Sequence, residues 1–178
     1  MQTPQHDAGR RPTRALEVTI AAINGPCAGA GFGWACACDL RFAADTATFS
    51  SPFLNVGSAG DMGGPWTLPR LVGAAKAREL YFLPEKFGAQ DALQAGLVSK
   101  IFPVAELRVQ VGAIAKRLAG APPHALREMK KNFLDAERMD FGSYIAAETQ
   151  RHITVMAHDD AKEAFRAFVE KRPPRFRR

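Results

Sequence analysis

The run from Asn24 to Asp39, NGPCAGAGFGWACACD, constrains this chain more than any other stretch, because the β-branched, apolar segment Glu17–Ile23 (EVTIAAI) leads straight into it. The spacing predicts a strand, a tight turn and then a buried helix. Gly29, Gly31 and Gly33 carry no Cβ, so the main chain there is free to take positive φ and to let a ligand approach closely. The first N–H groups of the following helix point back into the turn, where the helix dipole favours negative charge. Two kinds of anion site fit poorly. A dinucleotide fingerprint needs glycine where Trp34 stands and an acid about 20 residues further on, and a P-loop needs Lys then Ser or Thr after its last glycine. There remains an amide cradle for a carbonyl oxygen that becomes negative during reaction, beside the plainer reading that the glycines allow close helix packing.

Downstream, Asp39–Ala43 and Ala47–Ser51 read as two short strands, and FLNVGSAGDMGG as a glycine-punctuated loop. Helices are expected at Gly63–Val72, Ala74–Leu83 and 88–95, the last ended by Gly96, with LVSKIF as a further strand. From Pro103 onward only helices are expected. Val104, Leu107, Val111, Ile114 and Leu118 form an apolar stripe, Pro122 and Pro123 open the next helix, and Asp140 and Asp159 are placed to cap two more. Ala161, Ala164, Phe165 and Phe168 make one face of the last. The division is a polar segment at 1–16, a strand and helix region at 17–103 and a helical region at 104–178.

Charge and cysteine content narrow the function classes. The 178 residues carry a net charge of +6, but much of the excess sits at Arg10, Arg11 and Arg14 and in the last eight residues, with no interleaved aromatic platform. Nucleic-acid binding is therefore disfavoured, while a basic tail suits the phosphates of a ligand. Cys27, Cys36 and Cys38 are odd in number and form no two-pair zinc pattern, so they read as reduced, buried small residues of a cytoplasmic protein. No apolar run reaches the 18 residues that a membrane span needs, and the polar start is not a signal peptide. Neither a metal nor a separate cofactor is expected.

NGPCAGAG, CDLRFAADTATFSSP, VGSAGDMGG, AQDALQAGLVSKIFP and FVEKRPPRF, in this order between Val18 and Phe176, resemble the enoyl-CoA hydratase/isomerase (crotonase) superfamily. The resemblance implies an α/β spiral of ββα turns followed by a helical region that forms trimers or dimers of trimers. It implies an acyl-CoA substrate whose thioester oxygen is held by the N–H of Ala30, flanked by Gly29 and Gly31, with coenzyme A part of the substrate. Pro52 and Phe53 match positions beside the substrate, and Phe168 and Lys171 match positions that contact coenzyme A from an adjacent subunit. The two acids of the family's hydratases fall on Gly33 and Phe53, which transfer no proton. Asp61 matches the catalytic aspartate of the dienoyl-CoA isomerases.

Asp61 stands alone in an uncharged window, Ala47–Pro69, so desolvation by Phe53, Met62 and Trp66 is expected to raise its pKa. Its other reading is an Asx turn or a cap for the helix near Gly63. The resemblance also implies an earlier strand-turn-helix segment that supplies the second oxyanion amide, for which residues 1–16 offer no counterpart. Weak or no turnover is expected of the chain alone. Hydration, isomerisation and acyl-CoA binding without turnover all remain open.

Overall fold

A computed structural model describes residues 17–176; the polar segment 1–16 and residues 177–178 lie outside them. Two compact units are formed, 19–113 and 17–18 with 114–176. The boundary falls inside a helix, Val104–Ala119, rather than at 103/104.

In the first unit the order is β1 (Ile20–Ile23), β2 (Pro26–Ala28), α1 (Ala30–Ala37), β3 (Leu40–Ala44) and β4 (Thr48–Ser50). A 3₁₀ turn (Leu54–Val56), α2 (Gly64–Val72), α3 (Ala74–Phe82), β5 (Phe87–Gly88), α4 (Ala89–Gln94), β6 (Lys100–Phe102) and the start of α5 (Val104–Ala119) complete it. Among the described residues the strands make two three-stranded sheets, β1-β3-β6 and β2-β4-β5. Successive strands pass to opposite sheets: β1 pairs with β3 and β2 with β4, both in parallel, so that β1β2α1 and β3β4α2 are two turns of one repeating ββα unit.

The expected single strand at Glu17–Ile23 is thus shorter, and a second strand lies within the glycine-rich run. Pro26 is tolerated there because β2 is an edge strand and Pro26 opens it. LVSKIF pairs as a strand only over Lys100–Phe102; before it, the Arg41 carbonyl accepts from the Ser99 N–H at 2.9 Å and the buried Arg41 side chain donates from Nε to the Leu97 carbonyl at 2.7 Å. The core of the unit is aromatic. Phe32 and Phe49 are fully enclosed and both meet Phe87, at ring centroid separations of 6.3 and 5.4 Å. This packing fixes α1 over the β2-β4-β5 sheet.

In the second unit, α6 (Pro123–Ala136), α7 (Phe141–Ala157) and α8 (Asp159–Val169) follow the rest of α5. Arg151 on α7 reaches Asn132 at 2.8 Å and also bonds Asp135, tying α7 to α6. Asp140 caps α7 as expected, accepting from the Ser143 N–H at 3.0 Å. α8 is different. Its cap is His158, whose Nδ1 accepts from the Asp160 N–H at 3.2 Å, while Asp159 is the first helical residue. The face expected at Ala161, Ala164, Phe165 and Phe168 does not carry its aromatics inward: Phe165 and Phe168 are 67% and 82% exposed, and Ala167 is the enclosed apolar residue.

Candidate functional site

Strands β2 and β4 run in parallel and deliver their carboxyl ends side by side, the usual place for a ligand on such a sheet. Gly29 follows β2 and Pro52 follows β4, and the Gly29 N–H donates to the Ser50 carbonyl at 3.3 Å. Gly29 has φ 54 and ψ −126, a conformation that side chains resist, and it turns the chain from strand to helix in one residue. Gly31 and Gly33 instead take helical angles, so of the three glycines only Gly29 has the expected positive φ.

Ala30 is the first residue of α1. Its N–H, with those of Gly31 and Phe32, has no carbonyl one turn back within the helix, and the first closing bond is Gly33 N–H to the Gly29 carbonyl at 3.1 Å. Ala30 and Gly31 are both exposed, while Phe32 is fully buried.

Gly33 lies one turn along the same face from Ala30. The segment carrying Asp61 sits directly over it: a Cβ at Gly33 would stand 3.0 Å from the Asp61 carbonyl oxygen and 2.9 Å from Met62 Cβ. A side chain at position 33 and the observed path of residues 61–62 exclude one another, so the glycine both permits helix packing and brings Asp61 to the start of α1.

Asp61 itself is exposed, contrary to the apolar enclosure expected from its sequence neighbours. Nor does it cap α2. The cap position is Gly63, with no side-chain bond, and Asp61 Oδ1 accepts from the adjacent Met62 N–H at 2.7 Å. Phe53 is buried and stacks on Tyr81, with centroids 5.9 Å apart and planes at 10°. Tyr81 on α3 has its pKa pushed up to about 12 by burial, then by Cys36 and Asp61. Nothing in the sequence singles out Tyr81, an aromatic residue in a helical pattern.

Phe168 and Lys171 belong to the helical unit and are described within it. Lys171 has φ 52 just past α8; its N–H donates to the Phe168 carbonyl at 3.2 Å and that of Arg172 to Ala167 at 3.0 Å. This is a Schellman closure with lysine where glycine is usual. Arg172 in turn is clasped by Glu163 at 2.6 and 3.1 Å and by Glu170, and Glu163 is held down to about pKa 2, chiefly by Arg172. Burial raises the thiols of Cys27 and Cys36 to about 11 and 12. Among the described residues no helix is long and apolar enough to cross a membrane.

The fold and the amide-lined helix start define a crotonase-class α/β protein. An enoyl-CoA hydratase structure from Bacillus anthracis superposes with a TM-score of 0.91 at 32% identity, over 94% of this chain and 65% of that one. The enoyl-CoA hydratase/isomerase family profile matches residues 10–178, and the chain belongs to that family. It is 35% identical over 153 residues to 4-chlorobenzoyl coenzyme A dehalogenase-1 of Arthrobacter, covering 86% of this chain and 55% of that protein. It is 33% identical over 168 residues to the short-chain-enoyl-CoA hydratase of Clostridium acetobutylicum, covering 92% and 64%. The chain therefore spans between about half and two thirds of the length of these relatives.

Proposed function

We propose that the protein binds an acyl-CoA thioester and moves a proton on its acyl chain. Asp61 takes the proton from the α carbon, the electron pair passes into the thioester carbonyl, and the Ala30 N–H receives the charge that develops on oxygen. Return of the proton to the γ carbon shifts a double bond; addition of water to a 2-enoyl chain is the other outcome that this enolate supports. The observation that carries the reading is the seating of the Asp61 segment over Gly33, one turn from the Ala30 amide. Because Asp61 is exposed, the bound acyl chain has to supply the desolvation that the fold does not.

Gly29, Gly31, Pro52 and Phe53 border the acyl thioester in this reading, while Phe168 and Lys171 serve coenzyme A on a neighbouring copy in a homotrimer. An odd number of cysteines with no framework spacing favours a reducing compartment, the cytoplasm. The test is Asp61→Asn. It should keep thioester binding, measured by calorimetry, and lower solvent-deuterium uptake into the acyl chain by roughly 10²- to 10⁴-fold. An unchanged uptake rate removes Asp61 from the mechanism.

A second reading, acyl-CoA binding without turnover, is favoured by the loss of proton-transferring groups at Gly33 and Phe53. Tight binding with no deuterium uptake by the unsubstituted protein decides for it.

A further inference from the structure

Tyr81 has a buried hydroxyl with no hydrogen-bond partner among the described residues. Its ring lies flat on Phe53, and its edge presses on the loop that carries Asp61. A Cβ at Gly60 would stand 3.4 Å from Tyr81 Cε1, and one at Gly64 only 1.9 Å from the hydroxyl oxygen. The loop accommodates the phenol because position 64 has no side chain. Asp61 is close enough to contribute to the raised pKa of the phenol, behind burial and Cys36. Its Oδ1 is meanwhile occupied by the N–H of Met62, a residue held at φ 53, in the left-handed region that side chains rarely enter. A buried donor without an acceptor and a strained residue thus adjoin the same loop, and both are unfavourable.

We propose that Tyr81 is a positioning residue for Asp61. When an acyl thioester fills the site, the loop relaxes about Gly60 and Gly63, Asp61 leaves the Met62 amide, and the Tyr81 hydroxyl donates to one of its carboxylate oxygens. The other oxygen then faces the acyl α carbon. The inference rests on the acyl-thioester reading above and adds a second polar group to that site. The glycines on either side of Asp61 supply the hinge, with φ 117 at Gly60 and 74 at Gly63.

The chain has two tyrosines, so in a Tyr144→Phe background ¹³C at the tyrosine Cζ reports Tyr81 alone. Saturation with butyryl-CoA should move that resonance as the hydroxyl gains an acceptor, and Asp61→Ala should abolish the movement while butyryl-CoA still binds. Binding with no movement, or a movement that survives Asp61→Ala, overturns the proposal and leaves the acyl-thioester reading standing. No binding of butyryl-CoA overturns both. Tyr81→Phe supplies a second readout. Its urea midpoint should be unchanged or higher, since an unpaired buried donor is removed, while solvent-deuterium uptake into butyryl-CoA falls about tenfold, the rate equivalent of one hydrogen bond to a charged group. A lowered midpoint, or equal uptake by the two proteins, overturns the positioning role.

Discussion

At the scale of single residues, the site depends on side chains that are missing as much as on those present. Gly33→Glu would place an acid where the resemblance implies one for hydratases, yet its Cβ would meet the Asp61 carbonyl and Met62 Cβ at 3.0 and 2.9 Å. The substitution should destabilise the protein by about 1–3 kcal/mol, read as a lowered urea midpoint, and should confer no hydratase activity. Gly31→Ala is the control, because nothing lies within 4 Å of a Cβ there and the backbone is helical. It should gain up to about 1 kcal/mol from helix propensity. The glycine-rich turn and the isolation of Asp61 could both be read in the sequence. The exposure of Asp61 could not, since Phe53 and Trp66 are near it along the chain but burial is set by what folds over it. Tyr81 left no sequence signal, because its orphaned hydroxyl is created by Gly60 and Gly64 from another element.

At the scale of elements, the helices were easier to read than the strands. The helices expected at Gly63–Val72, Ala74–Leu83 and 88–95 lie within a residue of α2, α3 and α4, and α6 and α7 start where Pro122, Pro123 and Asp140 signal them, whereas Pro26–Ala28 has little strand propensity of its own and is extended because it pairs with Thr48–Ser50. The cap of α8 lies one residue before the expected Asp159, since His158 Nδ1 accepts from the Asp160 N–H. The end of α8 carries a pH dependence. Glu163 titrates at about 2 in the folded chain against 4.5 for a free side chain, the Arg172 pair being the main cause. A depressed carboxyl stabilises the fold fully above its unfolded value and loses that contribution as pH falls through the folded value, here between about 4.5 and 2. Glu163→Gln should therefore flatten the urea midpoint across that window. Added salt should shrink the difference between the two proteins, because the pair lies near the surface.

At the scale of the whole molecule, the helical unit leaves Phe133, Phe141, Phe165 and Phe168 between 67% and 82% exposed. If these side chains serve the proposed trimer, sedimentation should show concentration-dependent association that Phe141→Lys weakens; a monomer at every concentration would count against it. Lys171→Glu should weaken binding of coenzyme A thioesters by inverting a charge at a position where the resemblance places the coenzyme A part of the substrate. Lys171→Gly should weaken it too without disturbing the helix end, because glycine accepts the same φ. The central strand β3 has one neighbour close behind it and one far ahead, Ile20 opposite Leu40 but Phe42 opposite Lys100. During synthesis the sheet cannot close until residue 102 has left the ribosome. At roughly 5–20 residues per second, the free edge of β3 waits on the order of 3–12 s for its second partner. For that interval Phe42, Ala43 and Ala44, all buried in the finished protein, line an unpaired edge on which another chain could pair.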